Sequence, residues 1–231
     1  MYHEWPLGII PKHLQRPELA QLEAAGYSFD DPYDIVKIFE RKVAAYAGAR
    51  YAVAVDCCSH GIFLCLKYLN ASGTVTIPAH TYVSVAMQII HAGCQLNLVE
   101  QDWTGCYQLQ PYPIWDAAPQ WRQNMYQGGF HVVSFQAKKA IPIGRGGIIL
   151  TDDIDAVTWL TNARYDGRNQ STPYANDSIN SLGWHMYMTP EDAARGILLM
   201  DARPQDWPDR NGKDFYPSLL NHPVLDRKSV V

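Results

Sequence analysis

Apolar residues recur along the chain with two alternating periods, which predicts helices and strands that follow one another. After Pro32, apolar residues from Ile35 to Val43 fall at helical spacing, and Gly48 is suited to end that helix. The next apolar run, at residues 51–56, is short and has the composition of a buried strand. The pattern therefore begins as a helix that leads directly into a strand.

The same alternation continues over most of the chain. Further strands are predicted at residues 74–78, 95–100, 113–118, 131–135 and 146–153, and further helices at residues 60–69, 82–92, 153–166 and 189–200. Strands that alternate with helices indicate an α/β fold, here three layers (α/β/α) around a mostly parallel sheet.

Prolines set the two ends of the chain apart from this alternating region. They interrupt the first 33 residues repeatedly, and they recur after Arg203. The sequence therefore predicts an irregular N-terminal arm at residues 1–33, a large domain at residues 34–202, and a tail or loop-rich extension at residues 203–231.

Composition and charge exclude several classes of function. The chain has 231 residues, 47% of them hydrophobic and 18% charged, so it can bury a substantial core. Its net charge of −4 disfavours a general nucleic-acid binder. We expect no membrane partner, because no apolar stretch approaches the length that spans a bilayer and no signal peptide is recognised. Five cysteines without a CxxC pair favour the reducing cytoplasm.

Ligands of open α/β sheets bind beyond the carboxyl ends of the strands, which directs attention to four stretches of this sequence. They are residues 56–59, 78–82, 116–120 and 134–139. Asp116, Ser134 and Lys139 in these stretches form a recognisable set. A pyridoxal phosphate (PLP) site needs an amine for a Schiff base, a carboxylate for the pyridinium nitrogen, and hydroxyl or N–H groups for the phosphate.

A metal site was considered for the group of Cys57, Cys58 and His60. These residues are close together in sequence and lack a fourth ligand, so no metal site is predicted.

Six fragments resemble, in order, the motifs of the DegT/DnrJ/EryC1/StrS family of sugar aminotransferases, which have the fold-type I PLP architecture. They are IFERKVAAYAGARYAVAV, IPAHTYVSVAMQIIHAGCQLNLVEQD, IWDAAPQ, VVSFQAKKAIPIGRGGIILTDD, YDGR and LGWHMYMTPEDAARGILLMD. The resemblance covers about residues 33–202.

The resemblance implies catalytic and cofactor-binding roles for individual residues. Lys139 aligns with the lysine that forms the Schiff base, and Lys138 with a position that is usually small. Asp116 aligns with the aspartate that keeps the pyridine nitrogen protonated. Ser134 aligns with a phosphate ligand and Tyr82 with the aromatic residue that stacks on the cofactor.

Two further positions complete the implied cofactor site. Cys58 and Ser59 fall on the turn whose backbone amides hold the phosphate. His185 stands where the family has an asparagine that reaches the cofactor of the neighbouring subunit, which implies a homodimer. A histidine that only begins a surface helix is the alternative at that position.

The chain also departs from the family pattern. Pro119 and Tyr187 replace a glutamine and an arginine. The space between Asp102 and Tyr112 is too short for the βα unit of the family, so we expect one strand fewer. Only 30 residues follow Asp201, where the family has a small C-terminal domain.

Two functions follow from the resemblance. The first is a PLP-dependent aminotransferase that moves an amino group from an amino acid, in the family glutamate, to a nucleotide-linked keto sugar. The alternative is a weak or inactive relative that serves as a binding or assembly protein.

Overall fold

The computed structural model describes residues 12–202 and 206–225, and helices alternate with strands over most of that length. The elements in chain order are α1 (Glu18–Ala24), α2 (Pro32–Ala47), β1 (Tyr51–Val55), α3 (Cys58–Tyr68), β2 (Thr74–Pro78), α4 (Val83–His91), β3 (Gln95–Val99), β4 (Tyr107–Gln108), β5 (Ile114–Asp116), β6 (Phe130–Ser134), β7 (Gly147–Thr151), α5 (Ile154–Ala163) and α6 (Pro190–Ala202). Every helix and strand predicted from the periodicity is present, with ends that differ by a few residues.

Helix α2 shows why the periodicity was readable. Asp31 caps its first turn by accepting a hydrogen bond from the Tyr33 amide at 2.9 Å, and Pro32 takes the first helical position. Gly48 ends the helix with a φ of 81°, a backbone conformation that residues with a Cβ rarely adopt. The helix therefore begins and ends where the sequence provides a cap.

The sheet is mixed in strand direction, whereas the sequence predicted a mostly parallel one. In the described residues a five-stranded sheet has the order β1-β7-β6-β5-β4. Strand β7 runs antiparallel to both β1 and β6, while β5 and β6 are parallel. Strands β2 and β3 form a separate parallel pair. Direction is a property of pairing between distant segments, so periodicity within each strand carries no information on it.

A short hairpin joins the two sheets at the place where the sequence has too little room for a βα unit. Strand β4 pairs antiparallel with β5, and the chain then reaches Gln110. Gln110 exchanges two backbone hydrogen bonds with Thr76 of β2, at 2.9 and 3.0 Å. A two-residue strand and one bridging residue thus connect β2 to β5.

The sheet lies between two helical layers, as predicted. Helices α3, α4 and α5 pack on one face, and α1, α2 and α6 on the other. The side chains of β1 alternate between the two cores: Val53 and Val55 face the first layer, Ala52 and Ala54 the second. The three-layer α/β class is therefore confirmed.

The prediction that residues 1–33 are irregular is wrong for residues 18–24, which form α1. Pro17 precedes this helix instead of interrupting it, and Gly26 follows it with a φ of 91°. Leu22 is fully buried and anchors α1 in the core that it shares with α6. The first 11 residues of the predicted arm, and residues 203–205 and 226–231 of the predicted tail, lie outside the described residues. The domain boundaries remain predictions.

A buried ion pair connects the helical layer to the sheet. Arg164, which is 3% exposed, donates from Nη1 to the Glu40 carboxylate and to the Ala54 carbonyl. Glu40 in turn accepts from the Ala54 amide at 2.8 Å. The three groups therefore satisfy one another where water does not reach them.

His131 in β6 is fully buried, and neither of its ring nitrogens has a hydrogen-bond partner among the described residues. The rings of Trp115 and Tyr126 lie beside it, with centroids 5.6 and 5.3 Å away. Burial lowers the pKa of His131 to about 4, because the charged imidazolium is poorly solvated there.

Across the described part of the chain, no helix has the length and apolar character needed to cross a bilayer.

Candidate active site

A cavity of about 670 Å³ opens at the carboxyl ends of β5 and β6, beside the first turn of α3. All four strand-end stretches predicted to converge contribute to its wall. Six of the predicted site residues line it: Cys58, Ser59, Tyr82, Asp116, Ser134 and Lys139. The convergence of these stretches is confirmed, while the role of each residue stays a prediction.

Asp116 provides a buried carboxylate in the cavity wall. The residue is 3% exposed, and its oxygens accept hydrogen bonds from the Ala118 amide at 3.0 Å and the Tyr107 hydroxyl at 2.9 Å. Burial raises the pKa of Asp116, and the two hydrogen bonds and the charge of Lys139 oppose that rise. No basic side chain in the described residues forms an ion pair with it, so the site leaves a buried acid available to a cationic ligand group.

Tyr107 in β4 supports this carboxylate, and the sequence gave no indication of it. Its hydroxyl proton is committed to Asp116, so the Thr81 hydroxyl, 2.6 Å away, donates to the Tyr107 oxygen. Thr81 and Tyr107 are 2% and 3% exposed. A buried chain of two hydroxyl groups therefore fixes the orientation of Asp116.

The two adjacent lysines differ in their surroundings. Lys139 is half-buried, and its Nζ donates to the Tyr216 hydroxyl at 3.5 Å. Lys138 is exposed. The turn that separates them is fixed by the Gln136 carbonyl, which accepts from the Lys139 amide at 2.8 Å. Lys139 is therefore the amine whose charge acts on Asp116.

The N-terminus of α3 offers backbone N–H groups to the cavity. Cys57, the N-cap residue, makes no side-chain capping hydrogen bond, so its side chain does not occupy the amides of the first turn. Ser59 contributes a hydroxyl that lies 2.6 Å from the Ser84 hydroxyl. Ser134 ends β6 on the same cavity and is buried. A helix N-terminus with adjacent hydroxyls is suited to a phosphate group.

Gly147 at the start of β7 allows α3 to approach the sheet this closely. A Cβ atom at that position would collide with the backbone of Cys57 and Cys58. The position of the helix N-terminus in the cavity therefore depends on the absence of a side chain at residue 147.

A cluster of Asp56, Cys57 and His60 borders the cavity, with one potential ligand atom of each within 4.8 Å of the others. Asp56 accepts from Arg145 at 2.7 Å and is 2.6 Å from His60 Nδ1. Hydrogen bonds to Asp56 and Cys57 raise the pKa of His60 to about 10. The imidazole is therefore a cation at neutral pH, which disfavours metal binding here and agrees with the prediction of no metal site.

The segment of residues 206–225, which we name the covering segment, lies across the cavity. Its backbone is bonded to the domain at several points: the Trp207 amide donates to the Trp121 carbonyl at 2.8 Å, and the Leu219 amide to the Ala79 carbonyl at 3.0 Å. Trp207, Arg210, Phe215 and Tyr216 of this segment line the cavity. The sequence predicted a tail here but not its position.

Tyr216 is the residue of the covering segment that reaches deepest toward the predicted chemistry. Its ring is stacked with Trp103 at a centroid distance of 6.3 Å and lies 6.2 Å from the ring of Tyr82. Burial raises the pKa of the Tyr216 phenol, so it stays protonated at neutral pH. Tyr82 itself is 58% exposed, which leaves its face accessible to a ligand.

His185 lies away from the cavity. Its side chain is 71% exposed, and Nδ1 is 2.8 Å from Asp166 Oδ2. The predicted contact of His185 with a neighbouring subunit stays a prediction.

Gln120 is buried at 2%, its Oε1 has no partner in the described residues, and it does not line the cavity. Pro119 does line it. The glutamine that follows Pro119 therefore does not take the place of the residue that Pro119 replaces.

Sequence reasoning missed Tyr107, Arg210 and Tyr216. The one signal that pointed to the last two was the concentration of aromatic residues in WPDRNGKDFYP, which is unusual for a solvated tail. Tyr107 had no such signal, because it lies in a two-residue strand.

The model of the DegT/DnrJ/EryC1/StrS aminotransferase family matches residues 15–114. This match confirms the resemblance recognised from the six fragments. No curated protein sequence matches the chain.

Solved structures share the fold at low sequence identity. AtS13 from Actinomadura melliaura has a TM-score of 0.68 and 20% identity, and covers 87% of this chain and 68% of its own. DesI, solved in the presence of its TDP-sugar product, has a TM-score of 0.62 and 19% identity, with coverage of 80% and 57%. Spr1654 from Streptococcus pneumoniae, in its PLP form, has a TM-score of 0.61 and 14% identity, with coverage of 81% and 64%.

Two conclusions follow from these structures. The chain has the fold of these proteins. It spans between 57% and 68% of their length.

Proposed function

Because residues 15–114 match the DegT/DnrJ/EryC1/StrS aminotransferase family, we propose that this chain is a PLP-dependent sugar aminotransferase. One observation carries the proposal: the half-buried amine of Lys139 and the buried carboxylate of Asp116 face one cavity at the N-terminus of α3. An amine, an acid and a phosphate-binding helix end are the three groups that PLP chemistry requires of a protein.

The residues present fit this cofactor. Asp116 is a buried acid without a cationic partner in the described residues, and a protonated pyridine nitrogen would supply one. The amides of the first turn of α3, with Ser59 and Ser134, would hold the phosphate. Tyr82 would contact the ring. Bound PLP acts as an electron sink that stabilises negative charge on the carbon from which a proton is removed.

Lys139 has two tasks in this scheme. Its Nζ attaches the cofactor covalently in the resting enzyme. Once a donor amino acid has displaced it, the free amine takes the proton from the donor α-carbon and returns it to the carbon of the cofactor. Asp116 keeps its charge opposite the pyridine nitrogen throughout, and Tyr107 keeps the carboxylate in place.

The finer assignments rest on the family resemblance. The amino donor would be glutamate, and the acceptor a nucleotide-linked keto sugar; DesI, solved with a TDP-sugar product, supports that class of acceptor. The enzyme would act in the cytoplasm as a homodimer in which His185 contacts the partner subunit. Sedimentation of the PLP-loaded protein as a monomer would contradict the dimer.

The decisive experiment uses added PLP and compares the two adjacent lysines. Purified protein mixed with PLP should develop an absorption band that borohydride bleaches, and mass spectrometry of the reduced protein should locate PLP on Lys139. Lys139→Ala should abolish the attachment, while the matched control Lys138→Ala should retain it, because Lys138 is exposed.

The outcomes separate the candidate functions. Attachment lost in Lys138→Ala rather than Lys139→Ala would show that the wrong lysine was chosen. Wild-type protein that takes up no PLP would refute the enzyme and favour a binding or assembly protein. Conversion to the pyridoxamine form by L-glutamate would establish the first half of transamination and refute the inactive alternative.

A further inference from the structure

Arg210 stands apart from the other cations of the cavity. The basic residues in the cavity wall are Lys138, Lys139, Arg145 and Arg210. Lys139 faces Asp116, Arg145 is paired with Asp56, and Lys138 is exposed. Within residues 12–202 and 206–225, Arg210 has no carboxylate in ion-pair distance.

The side chain of Arg210 is held in place without an acid. Its guanidinium carbon lies 5.2 Å from the ring centroid of Trp207 and 4.6 Å from that of Phe215. Its carbonyl accepts a hydrogen bond from the Gly105 amide at 3.0 Å, which fixes the backbone. Contact with ring faces orients the planar guanidinium while its N–H groups stay available for another partner.

The charge of the cavity favours an anionic partner. Asp116 is the one acidic residue among those that line it in the described part of the chain, against four basic residues. A half-buried, preoriented guanidinium suits a carboxylate or phosphate, because its N–H groups match two oxygens at once.

We propose that Arg210 binds an oxyanion of the substrate, away from the amine of Lys139. This proposal rests on the proposed function and deepens it, since it assigns a substrate-binding residue to the covering segment. The oxyanion belongs either to the diphosphate of a nucleotide-linked sugar or to the α-carboxylate of the amino donor, which share the chemistry that arginine recognises.

Binding measurements on the full chain test the proposal without catalysis. The probes are thymidine diphosphate and L-glutamate, titrated calorimetrically into the protein with and without PLP. Arg210→Gln should raise the dissociation constant of one probe about tenfold or more, since it removes a charge-assisted, two-point contact. The probe affected identifies which oxyanion Arg210 binds.

Two further variants serve as controls. Lys213→Gln removes the same charge from the same segment, but Lys213 pairs with Asp102 at 2.6 Å and does not line the cavity. It should change either dissociation constant less than twofold. Arg210→Lys keeps the charge without the planar fork, so its affinity should fall between those of the wild type and Arg210→Gln. Thermal melting reports whether each variant is folded.

The proposal is overturned if Arg210→Gln binds both probes as the wild type does, or if the wild type binds neither. Should Arg210→Gln fail to fold, a dissociation constant of Arg210→Lys within twofold of the wild type overturns it as well. The proposed function fails separately, if PLP does not attach to Lys139 although Arg210-dependent binding is present.

Discussion

Removal of the Tyr107 hydroxyl tests whether the buried hydroxyl chain supports Asp116. The change Tyr107→Phe keeps the ring, which packs against Trp103 at a centroid distance of 4.8 Å. It removes the hydrogen bond to Asp116 Oδ2 at 2.9 Å and the bond from Thr81 at 2.6 Å. The carboxylate is then left with the Ala118 amide alone, in a place that water does not reach.

The size of the effect follows from these two contacts. A hydrogen bond to a charged group contributes about 1.5–3 kcal/mol and one between neutral groups about 1 kcal/mol. We therefore expect Tyr107→Phe to lower the free energy of unfolding by about 3 kcal/mol. With a urea dependence of about 2–3 kcal/mol per molar, the denaturation midpoint should fall by about 1 M.

The loss should also depend on pH, in a direction set by Asp116. Burial already raises the pKa of Asp116, and loss of the Tyr107 hydrogen bond, which opposes that rise, raises it further. A carboxyl whose pKa is higher in the folded state binds more protons there, so its contribution to stability falls as pH rises above the unfolded value. The difference between variant and wild type should therefore be larger at pH 8 than at pH 5.

Urea denaturation at both pH values, followed by circular dichroism, measures this difference. Tyr51→Phe is the matched control, because Tyr51 is half-buried in β1 and its hydroxyl has no hydrogen-bond partner in the described residues. Its effect should stay within about 0.5 kcal/mol. A loss for Tyr107→Phe no larger than the control, or one equal at pH 5 and pH 8, would refute this account of Asp116.

Three further changes have measurable consequences. Gly147→Ala should cost about 1–3 kcal/mol in urea denaturation and weaken PLP uptake in a spectroscopic titration, because the new Cβ displaces the first turn of α3. The wild type should lose roughly 3 kcal/mol of stability as pH falls from 6.5 to about 4, since the unfolded state protonates His131 first, and His131→Leu should abolish this loss. Arg164→Met should cost about 3–5 kcal/mol, and adding Glu40→Leu should recover much of it; a double variant no more stable than Arg164→Met would contradict the pairing.

The sequence predicted those parts of the fold that local pattern determines. Strand β1 and helix α2 were recognisable because apolar periodicity and capping residues coincide within one segment. Helix α1 was missed because prolines were taken as interruptions, although Pro17 only precedes it. Strand β4 was missed because two residues carry no period, and its position depends on the bond between Gln110 and β2.

The candidate site was predictable to a similar extent and for a similar reason. Asp116 and Lys139 follow strands, so the rule for strand ends placed them in one cavity. Tyr107, Arg210 and Tyr216 reach the same cavity through pairings between segments far apart in the chain. No property of residues 206–225 alone determines where they bind. His185 was expected to act across a subunit boundary, which one chain does not test.

The covering segment makes access to the cavity a question of local opening. A contiguous stretch of 20 residues, held by a few backbone bonds, can detach while the sheet and its two helical layers stay folded. The amides of Trp207, Gly212 and Leu219 would then exchange with solvent deuterium together, and faster than those of the central strands. The free energy of that opening would set how quickly ligands enter and leave, so substitutions that loosen or tighten the segment should change ligand exchange rates without touching a binding residue.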